Sequence, residues 1–191
     1  MLKEEKEKQV FERARDGDRK AVRQLYDRYS SFLAATCSRF LPDKGDQKDV
    51  LQDGFVKIFS SLDKFDYRGE GSLKAWMRQI VVNECLKVLR KRKRSVPILF
   101  EEELRDVEVE EDTGPPEVEK VPAAVIHEMI KELPDGYRAV FNLFVLEEKN
   151  HKEISELLGI TESTSASQLY RARMILAKKI KEYLGKVKIK R

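Results

Sequence analysis

Ser72, Trp76, Gln79, Asn83 and Arg90 fall within a narrow arc when the stretch from Ser72 to Arg92 is projected as a helix, with Lys87 at its edge. An aromatic ring beside two amides, running into a cluster of cations, suits the binding of unstacked single-stranded bases. The ring stacks, the amides hydrogen-bond and the cations grip phosphate. The same residues also admit a plainer reading, in which Trp76 packs in a core and Asn83 is a surface amide.

A second constellation lies in HKEISELLGITESTSASQLYRARMIL. Gly159 supplies a left-handed turn between two short amphipathic stretches, and Thr161 or Ser163 can cap the second. Ser165, Leu169, Ala172 and Leu176 form its buried stripe, while Thr164, Ser167, Gln168 and Arg171 are expected together on another face. Hydroxyl, amide and guanidinium groups read base edges and phosphates in a major groove. The alternative is an ordinary αα-hairpin with a polar outer face. Ser165 to Gln168 carry no charge, so phosphate attraction falls to Lys152, Arg171, Arg173 and the lysines beyond. Such a helix-turn-helix is expected to bind weakly unless something else holds it on DNA.

Covalent catalysis finds little support. There is no Walker-type loop, no HExxH and no metal-spaced His/Asp cluster, and His127 and His151 stand alone. Cys37 and Cys85 are far apart in sequence without a nearby His, and read as two half-buried thiols of a reducing compartment. No catalytic residue, metal or cofactor is expected.

These groups need helices to position them. The chain has 191 residues, with only nine Gly and six Pro, and 38% are charged against the ~25% usual in globular proteins. An all-α protein of two small domains is expected. Apolar residues recur at helical spacing in Val22, Leu25, Tyr26, Tyr29, Phe32 and Leu33, then pause at LPDKGD, where Pro42 and Gly45 interrupt the pattern. A helix from Gln47 to about Leu62 follows, with Leu51, Phe55, Ile58 and Leu62 as its core stripe and Asp49, Gln52, Asp53 and Val56 on another face. After the polar loop FDYRGEGS, the long helix is expected to set Leu73, Met77, Ile80 and Val88 inward. The first domain therefore spans 8–94. The second, 122–184, contains a helix ending near Leu133-Pro134, one carrying Tyr137, Val140, Phe141, Phe144 and Val145, and the helix-turn-helix ending near Leu184. Residues 185–191 form a basic tail.

The net charge of +4 conceals segregation. KVLRKRKR, from Lys87 to Arg94, holds six bases and no acid, and the stretch from Glu101 to Lys120 holds ten acids against two bases. Arg171 to Arg191 holds nine bases against one acid. The order suggests two nucleic-acid-facing modules joined by a DNA-repelling connector over 95–121, read as a flexible acidic linker from its Gly114-Pro115-Pro116 and missing apolar period. No apolar run approaches the ~20 residues of a membrane span, and the N-terminal stretch does not resemble a signal peptide.

Taken together, DRKAVRQLYDRYSSFL, DVLQDGFVKIF, FDYRGEGSLKAWMRQIVVNECLKVLRKRKR and ELPDGYRAVFNLFVLEEKNHKEISELLGITESTSASQLYRARMIL resemble regions two and four of the extracytoplasmic-function sigma factors of bacteria, in order and over about Arg13 to Leu184. The resemblance implies a cytoplasmic transcription initiation factor that binds core RNA polymerase and promoter DNA, with no membrane insertion. Asp49, Gln52, Asp53 and Val56 match the surface that docks on the clamp coiled coil of the largest polymerase subunit, and the flap region is a further polymerase contact. The loop Asp66–Ser72, including Tyr67, Arg68 and Ser72, and the face through Trp76, Gln79 and Asn83 match the part that captures flipped −10 bases, with Lys87, Arg90, Lys91 and Arg92 on adjacent backbone. Lys152, Thr164, Ser167, Gln168, Arg171 and Arg173 match the −35 contacts. An anti-sigma factor is a further implied partner. The competing reading is a stand-alone helix-turn-helix regulator, which leaves the Asp49/Gln52/Asp53 surface and the long basic helix unexplained.

Overall fold

The computed structural model describes residues 7–95 and 118–189, with side chains to 92 and to 186 respectively. All regular structure among them is helical, and it falls into two compact units, Met1–Cys85 and Leu86–Arg191.

The first unit opens with α1 (Glu7–Arg15), a helix that the apolar period did not single out; it buries Val10, Phe11 and Ala14. Gly17, at φ +91°, turns the chain in a conformation that side-chain-bearing residues rarely adopt. Asp18 then caps α2 (Arg19–Phe40), accepting from the Lys20 amide at 2.8 Å while the Arg13 Nε donates to its other oxygen at 2.9 Å. These bonds to the ionised form, led by that from Arg13, hold the Asp18 carboxyl below the usual range. Ala21, Leu25, Tyr29, Leu33, Cys37 and Phe40 form the buried stripe of α2.

Helix α3 covers Lys44–Phe59, starting and ending three residues before the expected Gln47 and Leu62. Asp43 is the reason for the early start. It accepts from the Asp46 amide at 2.9 Å, so Gly45 sits in a capped first turn instead of interrupting the helix. Val50, Gly54, Phe55 and Ile58 face inward. A Cβ on Gly54 would lie 3.1 Å from the Val81 Cγ2, so glycine lets α3 approach α4 (Ser72–Ser95) closely. The core side of α4 in this unit is Leu73, Met77, Val81, Val82 and Cys85, whereas the expected Ile80 and Val88 are both only half-buried; the buried stripe of α4 is thus turned from the expected one. Cys37 and Cys85 are fully buried, not half-buried, and their sulfurs meet at 3.7 Å.

In the second unit, α5 (Ala123–Lys131), α6 (Asp135–Val145), α7 (His151–Leu158) and α8 (Glu162–Ile189) enclose a core of Val121, Met129, Ile130, Leu133, Tyr137, Ala172, Leu176 and Ile180. Arg138 is buried and fully engaged: its guanidinium pairs with Asp135 and donates to the Leu133 and Lys131 carbonyls, as a buried cation must. Helix α8 continues past Leu184 to Ile189, because nothing in GKVKI after the lone Gly185 stops it. The acidic connector falls outside the described residues except for Ser95 and the stretch from Val118, which begins with a 3₁₀ turn, Val118–Lys120.

Candidate nucleic-acid interface

Three surfaces carry the residues singled out by sequence. On α3, Asp49, Gln52, Asp53 and Val56 are all exposed, and Val56 keeps 63% of its surface in solvent. Tyr26 of α2 is also exposed, at 44%, and packs its ring on Phe55 at 4.6 Å. In the sequence it reads only as part of the helical apolar period. Two apolar groups beside two carboxylates make a surface suited to docking a protein with complementary cations.

The second surface begins in the loop before α4. Gly69 and Gly71, at φ +117° and +84°, bring the chain round to the helix. Ser72 closes the turn, donating its hydroxyl to the Gly69 carbonyl at 2.6 Å and accepting from the Arg68 amide at 3.3 Å. Arg68 reaches back to Asp66 at 3.2 Å, an exposed pair. Trp76 is half-buried and stacks on Phe65, with centroids 4.7 Å apart. One face of the indole is therefore packing, which settles its double reading as partly core and partly surface. One turn on, the exposed Gln79 donates to the Asn83 Oδ1 at 3.1 Å, which fixes the two amides relative to each other. Ser72, Trp76, Gln79 and Asn83 thus share a face, and Lys87, Arg90 and Lys91 are exposed further along the helix, with Arg92 half-exposed. Glu84, nearly buried beside Asn83, binds the Lys57 Nζ of α3 at 2.6 Å. That ion pair fixes α4 against the helix bearing Asp49 and Val56.

Tyr67 is not a free surface group. Its hydroxyl donates to the Glu7 carboxylate of α1 at 2.9 Å, and its ring stacks on Phe11 at 5.7 Å.

In the helix-turn-helix, Asn150 and Glu153 form a reciprocal capping box at the start of α7, each bond 2.9 Å. Gly159, at φ +63°, makes the turn. The Thr161 hydroxyl accepts from the Thr164 amide at 3.0 Å to begin α8. The His151 Nδ1 lies 2.9 Å from the Ser165 hydroxyl, and the ring stacks on Phe144. Sequence left His151 standing alone; the structure makes it a clasp between the two helices.

The reading face of α8 requires a correction. Gln168 is buried, 3% exposed, and lines a small cavity with Ala139, Leu158 and Ile160. It lies about 60° from Ser165 and about 40° from Ala172 around the helix, on the margin of the buried stripe. The outward row is instead Ser163, Ala166, Ser167, Tyr170 and Arg173, with Thr164 and Arg171 half-buried at its side and Lys152 exposed on α7. Tyr170, 57% exposed, was missed. An aromatic four residues after Ala166 on a polar face was the available signal.

Among the described residues no group of three His, Cys, Asp or Glu could hold a metal ion, and no helix is long and apolar enough to cross a membrane.

Two family models match the chain: Sigma-70 region 2 over residues 25–95 and Sigma-70, region 4 over residues 123–176. A curated relative from Haemophilus influenzae, an ECF RNA polymerase sigma-E factor, is 30% identical over 183 residues, which is 90% of this chain and 93% of the relative. The RNA polymerase sigma-H factor of Pseudomonas aeruginosa is 28% identical over 96% of this chain and 98% of its own. Among solved structures, RpoE of Bartonella quintana in complex with the anti-sigma factor NepR matches 82% of this chain and 94% of that one at 21% identity, with a TM-score of 0.46. CnrH in complex with the cytosolic domain of CnrY matches 91% and 96% at 22% identity, with a TM-score of 0.45.

Proposed function

This chain belongs to the sigma-70 family, in its extracytoplasmic-function group, and on that premise we propose how its three surfaces divide the work of directing core RNA polymerase to promoters. The α3 face of Asp49, Gln52, Asp53 and Val56, extended by Tyr26, docks on the clamp coiled coil of the polymerase, within a first domain of 8–94. The loop bearing Tyr67 and Arg68 and the α4 face of Ser72, Trp76, Gln79 and Asn83 capture −10 bases, while Lys87, Arg90, Lys91 and Arg92 hold the adjacent phosphates. In the second domain, 122–184, Thr164, Ser167, Tyr170, Arg171 and Arg173, with Lys152, meet the −35 element, and the flap region of the polymerase is its protein partner. The protein works in the cytoplasm, where core polymerase is.

No covalent step is required. Unstacking a base costs a few kcal/mol, and stacking on an aromatic returns ~1–3 kcal/mol. One indole therefore does not open a promoter by itself. Opening becomes favourable when the Gln79–Asn83 amides, the basic end of α4 and the polymerase contribute together. An anti-sigma factor that covers Val56 and Tyr26 would hold the protein off polymerase.

The observation that carries this reading is the aromatic–amide–basic face of α4, fixed by Lys57–Glu84 to the helix with the docking surface. Asn83→Ala is expected to impair opening at matched promoters, read by permanganate reactivity of −10 thymines, while association with core polymerase is kept. Equal loss of both would overturn the assignment.

A further inference from the structure

The Glu7 carboxylate at the start of α1 accepts one hydrogen bond on each oxygen, from the Tyr29 hydroxyl of α2 and from the Tyr67 hydroxyl of the loop before α4. One turn along α1, Phe11 stacks on Tyr67 and meets Phe65 edge-on at 5.6 Å, and Phe65 in turn stacks on Trp76. Helix α1 therefore holds the loop at two points, the Tyr67 hydroxyl and the Tyr67 ring. The ring series Tyr67–Phe11–Phe65–Trp76 ends on the α4 face.

The loop needs such a hold. Gly69 and Gly71 give it backbone freedom, and its Asp66–Arg68 pair is exposed and adds little rigidity. A half-buried carboxylate with a phenol on each oxygen makes charge-assisted bonds, stronger and more directional than neutral ones. Tyr29 is buried within α2, so Glu7 ties the loop to a rigid element through a single side chain. The geometry points to Glu7 as a positioning residue that presets the base-capturing loop and the Trp76 ring before DNA arrives; this rests on the reading of that loop and of the α4 face given above. Helix α1 is then part of the −10 reading apparatus, although none of its residues lies on the α4 face.

Preorganisation lowers the cost of ordering the loop at the moment of capture. Glu7→Gln keeps one acceptor oxygen and sets an NH₂, which cannot accept, against the other phenol. Tyr67→Phe keeps the aromatic ring and removes only the hydroxyl that anchors it to Glu7. Both variants, with Asn83→Ala beside them, are to be assembled with core polymerase on a duplex promoter and on the same promoter with a pre-melted −10 region. Opening of the duplex is expected to fall on the order of tenfold for Glu7→Gln and for Tyr67→Phe, about the worth of one charge-assisted bond. The double variant should be no worse than either single one. Binding to core and unfolding temperature should change little for Tyr67→Phe. In the free protein, acrylamide quenching of its single tryptophan should rise in both variants, because the ring series is loosened.

If Asn83→Ala impairs opening while Glu7→Gln and Tyr67→Phe open the duplex like the parent, the positioning role is overturned and the −10 reading stands. If Asn83→Ala also opens normally, the −10 reading itself fails. If Glu7→Gln loses fold, Tyr67→Phe alone decides: normal opening and unchanged quenching would overturn the proposal.

Discussion

Replacing Tyr170 and Gln168 in turn separates a DNA-facing side chain from a packed one on the same helix. Tyr170 stands on the outward row of α8 with 57% of its surface exposed, whereas Gln168 is 3% exposed and lines a small cavity. A tyrosine side chain offers ~150–250 Å², so roughly 100 Å² remains for a groove to cover. At ~25 cal/mol per Å² this is at most about 2.5 kcal/mol. Partial coverage against a groove floor brings the expectation to about 1 kcal/mol, or about fivefold in affinity. Tyr170→Ala should therefore weaken holoenzyme binding to a promoter with a matched −35 element about fivefold, and leave the unfolding temperature within about a degree, as exposed substitutions do. Gln168→Ala should do the reverse. It opens a void in the second unit and lowers the unfolding temperature by several degrees, with little direct change in base preference. The assay is competition binding of holoenzyme to matched and scrambled −35 promoters, alongside thermal unfolding of each variant. Loss of −35 preference in Gln168→Ala with unchanged stability, and parental behaviour of Tyr170→Ala, would refute the assigned phase of α8.

Other outcomes follow from the first unit. Gly54→Val should destabilise the fold by roughly 1–3 kcal/mol through overpacking, because even a Cβ there stands 3.1 Å from Val81, and a lowered unfolding temperature checks this. The hydrogen bond from Cys85 to Cys37, together with burial, raises the Cys85 pKa, so this thiol stays neutral and enclosed. It should resist iodoacetamide at pH 8 in the folded protein and react at once in denaturant, as peptide mass mapping would show. For Asp18 the folded-state pKa is depressed, so its contribution to stability is present above the unfolded carboxylate pKa and is lost as pH falls through the lower folded value. Asp18→Asn, which can still cap α2 but cannot pair with Arg13, should flatten that acidic limb of the stability–pH profile without abolishing folding.

Much of this was legible in the sequence, for a physical reason. The α4 face of Ser72, Trp76, Gln79 and Asn83 depends only on helical periodicity, and a long uninterrupted helix preserves it. The capping of α8 by Thr161 and the left-handed Gly159 are equally local. Gln168 was misplaced because it lies on the edge of the buried stripe, where periodicity alone cannot say how far burial extends around the helix. Glu7, the Cys37–Cys85 contact and the His151–Ser165 clasp join residues 60, 48 and 14 positions apart at their widest. Their neighbours are decided by how helices pack, and no local pattern encodes that. The start of α3 was missed for a smaller reason: Gly45 reads as a breaker until Asp43 is seen to cap the turn containing it.

Promoter selection by this protein depends on polymerase in the proposed function, and run-off transcription measures that dependence directly. Purified core polymerase is to be mixed with this protein on fragments of its own genome, and the 5′ ends of the transcripts mapped. The expected result is discrete start sites that appear only when the protein is added, share −10 and −35 sequences, and disappear with a variant whose α3 face is charge-reversed at Asp49 and Asp53. Sequence-specific DNA binding by the protein alone, with no core association and no new start sites, would contradict it.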